Sequence, residues 1–339
     1  MNSGVVMRGL VMAGLAAAVT ALAGVAPATG TDYQWVRTVS TYGSTGTTNF
    51  SSAESVAVDP SGNVWATDGM RGKLVKLDGS GNWQETLGGV PAIGYADGLH
   101  SDPWGNIWVA GAQLGQCVTE FTSSGTVQLK HSSYVQSPNV LTNPGDVAVD
   151  SSGNVWVANS SPNGGLEIFN SAGAWQTTYT SAGGVSFSNL YGVTVDSSNN
   201  VWLSDTDHGR IVEFSNTGTV KNYFGSLGNG NGQLSGTEGM AFDAAGNLWV
   251  ADGNNNRIEE FSADGTYMGQ FGTRGSAAGQ FSDPQGVAFD AAGNMWVADT
   301  NNNRLQEFSP VPEPSTLALL GIGALSLFAY AWRRRTPTA

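Results

Sequence analysis

Residues 287–296 read Val-Ala-Phe-Asp-Ala-Ala-Gly-Asn-Met-Trp, and five more copies of this phrase stand upstream. They run Val56–Trp65, Leu99–Trp108, Val147–Trp156, Val193–Trp202 and Met240–Trp249. The aligned aspartates are Asp59, Asp102, Asp150, Asp196, Asp243 and Asp290, spaced by 43, 48, 46, 47 and 47 residues. Apolar residues alternate at period two, the signal of strands with one buried face. Asp-x-x-Gly-Asn is a tight turn, because Gly and Asn tolerate left-handed φ. The phrase is therefore a hairpin. Working outward, each unit gains a polar loop such as Gly253–Arg257, a third strand such as Ile258–Phe261, and a fourth such as Thr266–Phe271. A period of about 46 residues with four strands per repeat is the pattern of a propeller blade.

The ends of the array predict how it closes. After the sixth phrase only a third strand remains, Leu305–Phe308. Before the first phrase stands an orphan strand, Tyr33–Tyr42. Completing the last blade with it removes an open sheet edge. The expectation is an all-β, six-bladed β-propeller over residues 32–309, with four-stranded antiparallel blades and the N-terminal strand closing the last. Two columns predict its core: the tryptophans that end each phrase, and Phe50, Ile93, Leu141, Phe187, Leu234 and Phe281, nine residues before each aspartate. Large aromatic side chains at that recurrence pack between neighbouring sheets.

The pattern Asp252…Asn256-Arg257-Ile258…Glu260-Phe261, repeated at Asp299…Asn303-Arg304-Leu305…Glu307-Phe308, closely resembles the NHL repeat. A looser copy is Asp205…Gly209-Arg210-Ile211. Blades two and three depart, with Gly111 and Asn159 replacing the aspartate. The resemblance implies a six-bladed scaffold whose loops and channel bind ligands, and no single reaction, since a fold does not fix a function.

Both ends of the chain read as processing segments. Residues 1–28 carry one early charge, Arg8, then an apolar run, then Ala26-Pro27-Ala28, the pattern of a signal peptide cut by signal peptidase. At the other end stand Pro312-Glu313-Pro314, the apolar stretch 317–332 and Arg333-Arg334-Arg335. Sixteen helical residues cover about 24 Å, short of a ~30 Å hydrocarbon core, with Trp332 and the arginines placed for the interface. This end, residues 310–339, closely resembles the PEP-CTERM sorting signal. The resemblance implies a bacterial protein exported and transiently anchored in the inner membrane by a transmembrane helix. Exosortase then cleaves near Pro312–Pro314 and the body reaches the cell surface, the extracellular space or a biofilm matrix. The membrane is a partner only through that helix.

The chain carries 27 acidic against 14 basic residues, net −13. Losing Arg8 and the three C-terminal arginines while keeping Glu313 leaves 10 basic residues and −17. Such a surface repels phosphate backbones, so nucleic acid is not an expected partner. The single Cys117 allows no internal disulfide and reads as a small buried apolar group.

Chemistry is expected at one channel mouth. The residue five before each aligned aspartate enters the inner strand: Glu54, Asp97, Gly145, Tyr191, Glu238 and Gln285. Three carboxylates, a phenol and an amide around one axis suit sugar hydroxyls or a hard cation. Catalytic and metal-ligating residues are otherwise not assigned. The three histidines, His100, His131 and His208, fall on different blades or strands and do not converge on one zinc. His100 beside Asp97 is the one acid/base pair the spacing offers. Asp252–Asn256 and Thr300–Asn303 lack the Gly and closing Glu of a calcium loop, and the Asp is expected to pair with the Arg five residues on. Two readings stay open. The first is a non-catalytic surface propeller that binds protein or polysaccharide and needs no cofactor. The second is a metal-dependent enzyme that resembles streptogramin lyases or lactone hydrolases, with a divalent cation at the mouth.

Overall fold

A computed structural model describes residues 32–88, 93–112, 116–132, 141–160, 165–182 and 184–311. Six four-stranded antiparallel sheets follow one another around an axis. Blade 1 is Ala53–Val58, Val64–Asp68, Lys73–Leu77 and Trp83–Gly88, from the channel outward. Blade 6 is Pro284–Phe289, Met295–Asp299 and Arg304–Pro310, and its outermost strand is Tyr33–Val39. The N-terminal strand thus closes the last blade, as its orphan status predicts. It pairs from Tyr33 opposite Pro310 to Val39 opposite Leu305. It is shorter than expected. Ser40 accepts a bond from the Phe50 amide, and Thr41–Tyr42 leaves to form a small ribbon with Thr48–Asn49. The expected signal peptide and C-terminal transmembrane helix fall outside the described residues. Among the described residues no helix is long and apolar enough to cross a membrane.

The phrase folds as it does because its aspartate organises the turn. Asp150 Oδ1 accepts the Ser152 and Asn154 amides, both at 2.9 Å. Its Oδ2 accepts Asn154 Nδ2 at 2.8 Å and the Trp156 indole at 3.1 Å. One carboxylate therefore fixes the turn and aims the tryptophan between two blades. The same four bonds recur around Asp59, Asp102, Asp196 and Asp243. Blade 6 differs: the Trp296 indole nitrogen is buried and unpartnered. All six tryptophans are buried, as are Phe50, Ile93, Leu141, Leu234 and Phe281, with Phe187 packed at the edge of its cluster. Cys117 is buried too.

The polar loops are single 3₁₀ turns. Gly253–Asn255 ends on Asn256 at φ +58°, and Thr300–Asn302 on Asn303 at φ +54°. Gly72 and Gly209 fill the same left-handed position in blades 1 and 4, which explains why the repeat alternates Asn and Gly there. Asp252 pairs with Arg257 and Asp299 with Arg304, each at 2.7 Å. Asp205 pairs with Arg210 at 2.6 Å. Each buried aspartate also caps a backbone amide of the preceding connection, Ser235, Ser282 or Ser188. In blade 3 Asn159 takes that place, accepting the Thr142 and Asn143 amides. The apparent calcium ligands are thus spent on structure, and Asn255 donates to Asp252.

Candidate functional site

The inner strands enter the channel with a shared irregularity. In every blade the pairing register shifts at the start of the inner strand: between Ala53 and Val56, Ala96 and Gly98, Pro144 and Asp146 in blades 1 to 3. It shifts likewise between Leu190 and Val193, Thr237 and Met240, Pro284 and Gly286 in blades 4 to 6. A bulge re-aims the residue it frees. Here it turns the position five before each aspartate toward the axis.

The neck is tight. A Cβ on Gly192 would lie 1.7 Å from the Glu238 carbonyl oxygen, and one on Gly239 2.5 Å from that of Gln285. Glycine there lets neighbouring inner strands touch.

All six positions expected from the sequence, Glu54, Asp97, Gly145, Tyr191, Glu238 and Gln285, line one cavity of about 210 Å³. A further carboxylate escaped the reading. Asp146 lies one residue deeper, where four of the five other blades carry Gly and blade 1 carries Ser55. Its Oδ2 accepts the Val193 amide of the next blade at 3.0 Å, and Oδ1 its neighbour Val147 at 2.8 Å. Gln285 Nε2 links Glu238 at 3.4 Å to Asp283 at 3.5 Å. Glu54 Oε1 accepts the Ser52 hydroxyl at 2.8 Å, while its Oε2 is buried with no partner.

Crowding acids in a narrow neck makes them hold protons. Burial, then repulsion from Glu54, drives Asp97 upward; burial drives Glu54 upward against a bond from Ser52. Burial pushes Asp146 up to about 7, opposed by its two backbone donors. Glu238 is raised well above the carboxylate range by burial, then by Asp283, Asp97 and Glu54. Burial and Glu238 raise the Tyr191 phenol. The mouth is therefore a set of partly protonated acids, able to donate as well as accept.

These shifts also set a pH dependence. A carboxyl held higher in the folded than in the unfolded chain stabilises fully below its unfolded value. That contribution is lost as pH rises through the folded one. For Asp146 the window is from 3.8 to about 7. The mouth therefore lowers the thermal midpoint as pH climbs from 4 to 8. Asp97→Asn raises the midpoint by a few degrees at pH 8 and leaves it nearly unchanged at pH 4, as differential scanning calorimetry can read.

The histidines do not join this site. His100 and Asp97, one possible pair by spacing, are separated along the inner strand: Asp97 lines this mouth and His100 the opposite opening. His208 sits on a 3₁₀ turn, 2.9 Å from Asp205. The side chain of His131 lies outside the description. Among the described residues no three His, Cys, Asp or Glu side chains converge closely enough to hold a metal ion.

Comparison with known proteins agrees with this architecture. Residues 281–308 match the NHL repeat, residues 310–335 the PEP-CTERM protein-sorting motif, and residues 131–278 the SMP-30/gluconolactonase/LRE-like region. No curated protein matches significantly. Among solved structures, a streptogramin B lyase is 17% identical with a TM-score of 0.57, covering 77% of this chain and 94% of its own. A catalytically inactive histidine-to-alanine virginiamycin B lyase from Staphylococcus aureus, with quinupristin, is 16% identical at 0.54, covering 76% and 80%. A gluconolactonase from Xanthomonas campestris is 15% identical at 0.60, covering 77% and 86%. At these identities the likeness is one of fold. The sorting motif supports export through a membrane-anchored intermediate and implies processing by exosortase. The chain is a six-bladed β-propeller bearing an NHL repeat and a C-terminal PEP-CTERM motif.

Proposed function

We propose that this is an exported, non-catalytic propeller that binds a polysaccharide at its acidic mouth, at the cell surface or in the extracellular matrix. The observation that carries the reading is the make-up of the mouth: Glu54, Asp97, Glu238, Tyr191 and Gln285 around about 210 Å³. Hydroxyl groups of a sugar donate to the carboxylates and the amide oxygen. Protonated carboxyls, the phenol and the amide nitrogen donate back. Strand direction supports access. The last strand runs from Arg304, beside the mouth, to Pro310 on the face of the aspartate turns. The described residues therefore end at Val311, on the face opposite the mouth.

A glycan array probed with the full chain tests this. The expected result is a defined set of bound glycans, with Tyr191→Ala and Glu238→Gln each weakening binding about tenfold or more. Binding unaltered by both variants refutes the site.

The match over residues 131–278 favours a second reading, a lyase or lactone hydrolase. The residues at the mouth argue against it. No histidine lines the cavity, and its carboxylates do not converge as a metal set among the described residues. Stoichiometric tightly bound metal in the purified chain, lost in the Glu54→Gln/Asp97→Asn/Glu238→Gln variant, would establish the enzyme reading instead.

A further inference from the structure

The aspartate-turn end of the channel opens into a second cavity, of about 660 Å³, which shares no residue with the acidic mouth. Its wall is nearly sixfold. The residue before each aligned aspartate lines it: Val58, Val149, Val195, Phe242 and Phe289 in blades 1, 3, 4, 5 and 6. Blade 2 breaks the ring with Ser101, whose Oγ is buried without a hydrogen-bond partner. The preceding residue in blade 2 is His100. Its five equivalents are Ala57, Ala148, Thr194, Ala241 and Ala288, and only His100 reaches the cavity. The turn that follows is also particular to blade 2. It reads Pro103-Trp104 where the others carry Pro-Ser, Ser-Ser or Ala-Ala, and Trp104 is 61% exposed.

We propose that this opening is a second ligand site, taking a small, neutral, apolar molecule that carries one hydroxyl group directed at blade 2. The inference does not depend on what the acidic mouth binds. The apolar ring offers the body of such a ligand a contact surface at this end of the channel. His100 supplies the polar contact at blade 2, because the Ser101 Oγ is closed off from the cavity. Burial, against the pull of Asp102, pushes His100 down to about 4, so near neutral pH its ring is uncharged and can accept or donate one bond. The aspartates at the rim do not make this a cation site. Each holds its own turn, as Asp102 holds the Trp104 and Asn106 amides and Asn106 Nδ2.

Equilibrium dialysis of the full chain with 1-naphthol and with naphthalene tests the proposal. Two variants borrow residues from equivalent blades, which protects the fold. His100→Ala/Ser101→Val gives blade 2 the Ala148-Val149 pair of blade 3. Val58→Phe/Val195→Phe places in blades 1 and 4 the ring that blades 5 and 6 carry. The expected result is saturable 1-naphthol binding that weakens about tenfold in His100→Ala/Ser101→Val, while naphthalene binding is unchanged. Both ligands weaken in Val58→Phe/Val195→Phe. The single His100→Ala variant shifts 1-naphthol in the same direction. No saturable binding to the unaltered chain, or 1-naphthol affinity indifferent to the His100 and Ser101 changes, overturns the proposal.

Discussion

Deleting residues 33–39 abolishes cooperative folding of the propeller or lowers its thermal midpoint by tens of degrees. Among the described residues this strand is the only outer partner of Arg304–Pro310. Without it, blade 6 ends in an unpaired edge, and the chain ends lose their fastening. Tyr33 packs edge-on to Trp249 at 5.3 Å and contacts Phe271 and Phe289, so the strand also seals the core between blades 5 and 6. Arg37 pairs with the buried Glu307 at 2.5 Å and reaches the Ser80 carbonyl of blade 1. Stripping an aromatic of its packing costs about 1.5–3 kcal/mol, and losing the partly exposed Arg37–Glu307 pair up to about 1 kcal/mol. Added to the lost strand pairing and the new open edge, they are a large share of the ~5–15 kcal/mol that holds a whole domain folded. Circular dichroism during heating checks the outcome. A midpoint within a few degrees of the intact chain would mean that the ring does not depend on this closure.

Asp150→Ala destabilises by about 3–5 kcal/mol, because four donors lose one buried acceptor. They are two backbone amides, Asn154 and the Trp156 indole. Asp290→Ala costs about 1–2 kcal/mol less. In blade 6 the carboxylate holds the Ala292 and Asn294 amides and Asn294 Nδ2, while Trp296 is already unpartnered. Denaturant unfolding of the two variants side by side measures the difference. Equal losses would show that the indole bond contributes nothing and that the aspartate acts on the turn alone.

The fold was legible because one phrase recurs six times, and each copy carries its own turn, tryptophan and spacing. Closure was legible for the same reason: a missing fourth strand and an orphan strand are visible against a regular period. The strand bounds were not. Tyr33–Tyr42 reads as one strand because nothing in the sequence marks Ser40 as the point where the chain leaves the sheet.

At the site, counting five residues back from each aspartate found the ring around the mouth. It missed Asp146, since blade 3 offers Gly145 at the counted position and the bulge brings the next residue into the channel. Bulges are set by contacts between neighbouring strands, such as Gly192 against Glu238, and leave no mark in a period-two pattern. The pairing of His100 with Asp97 that the spacing allows does not form, for a related reason. Three residues along a strand span about 10 Å, enough to carry the imidazole from one mouth of the channel to the other.

The central claim is that the acidic mouth binds sugar without altering it. The direct measurement is nuclear magnetic resonance of an array-selected oligosaccharide incubated with the full chain and with Glu54→Gln/Asp97→Asn/Glu238→Gln. The account predicts saturation transfer from the unaltered chain to the sugar, loss of that transfer in the triple variant, and a sugar spectrum unchanged after prolonged incubation. New product resonances that appear with the unaltered chain and not with the variant would contradict it.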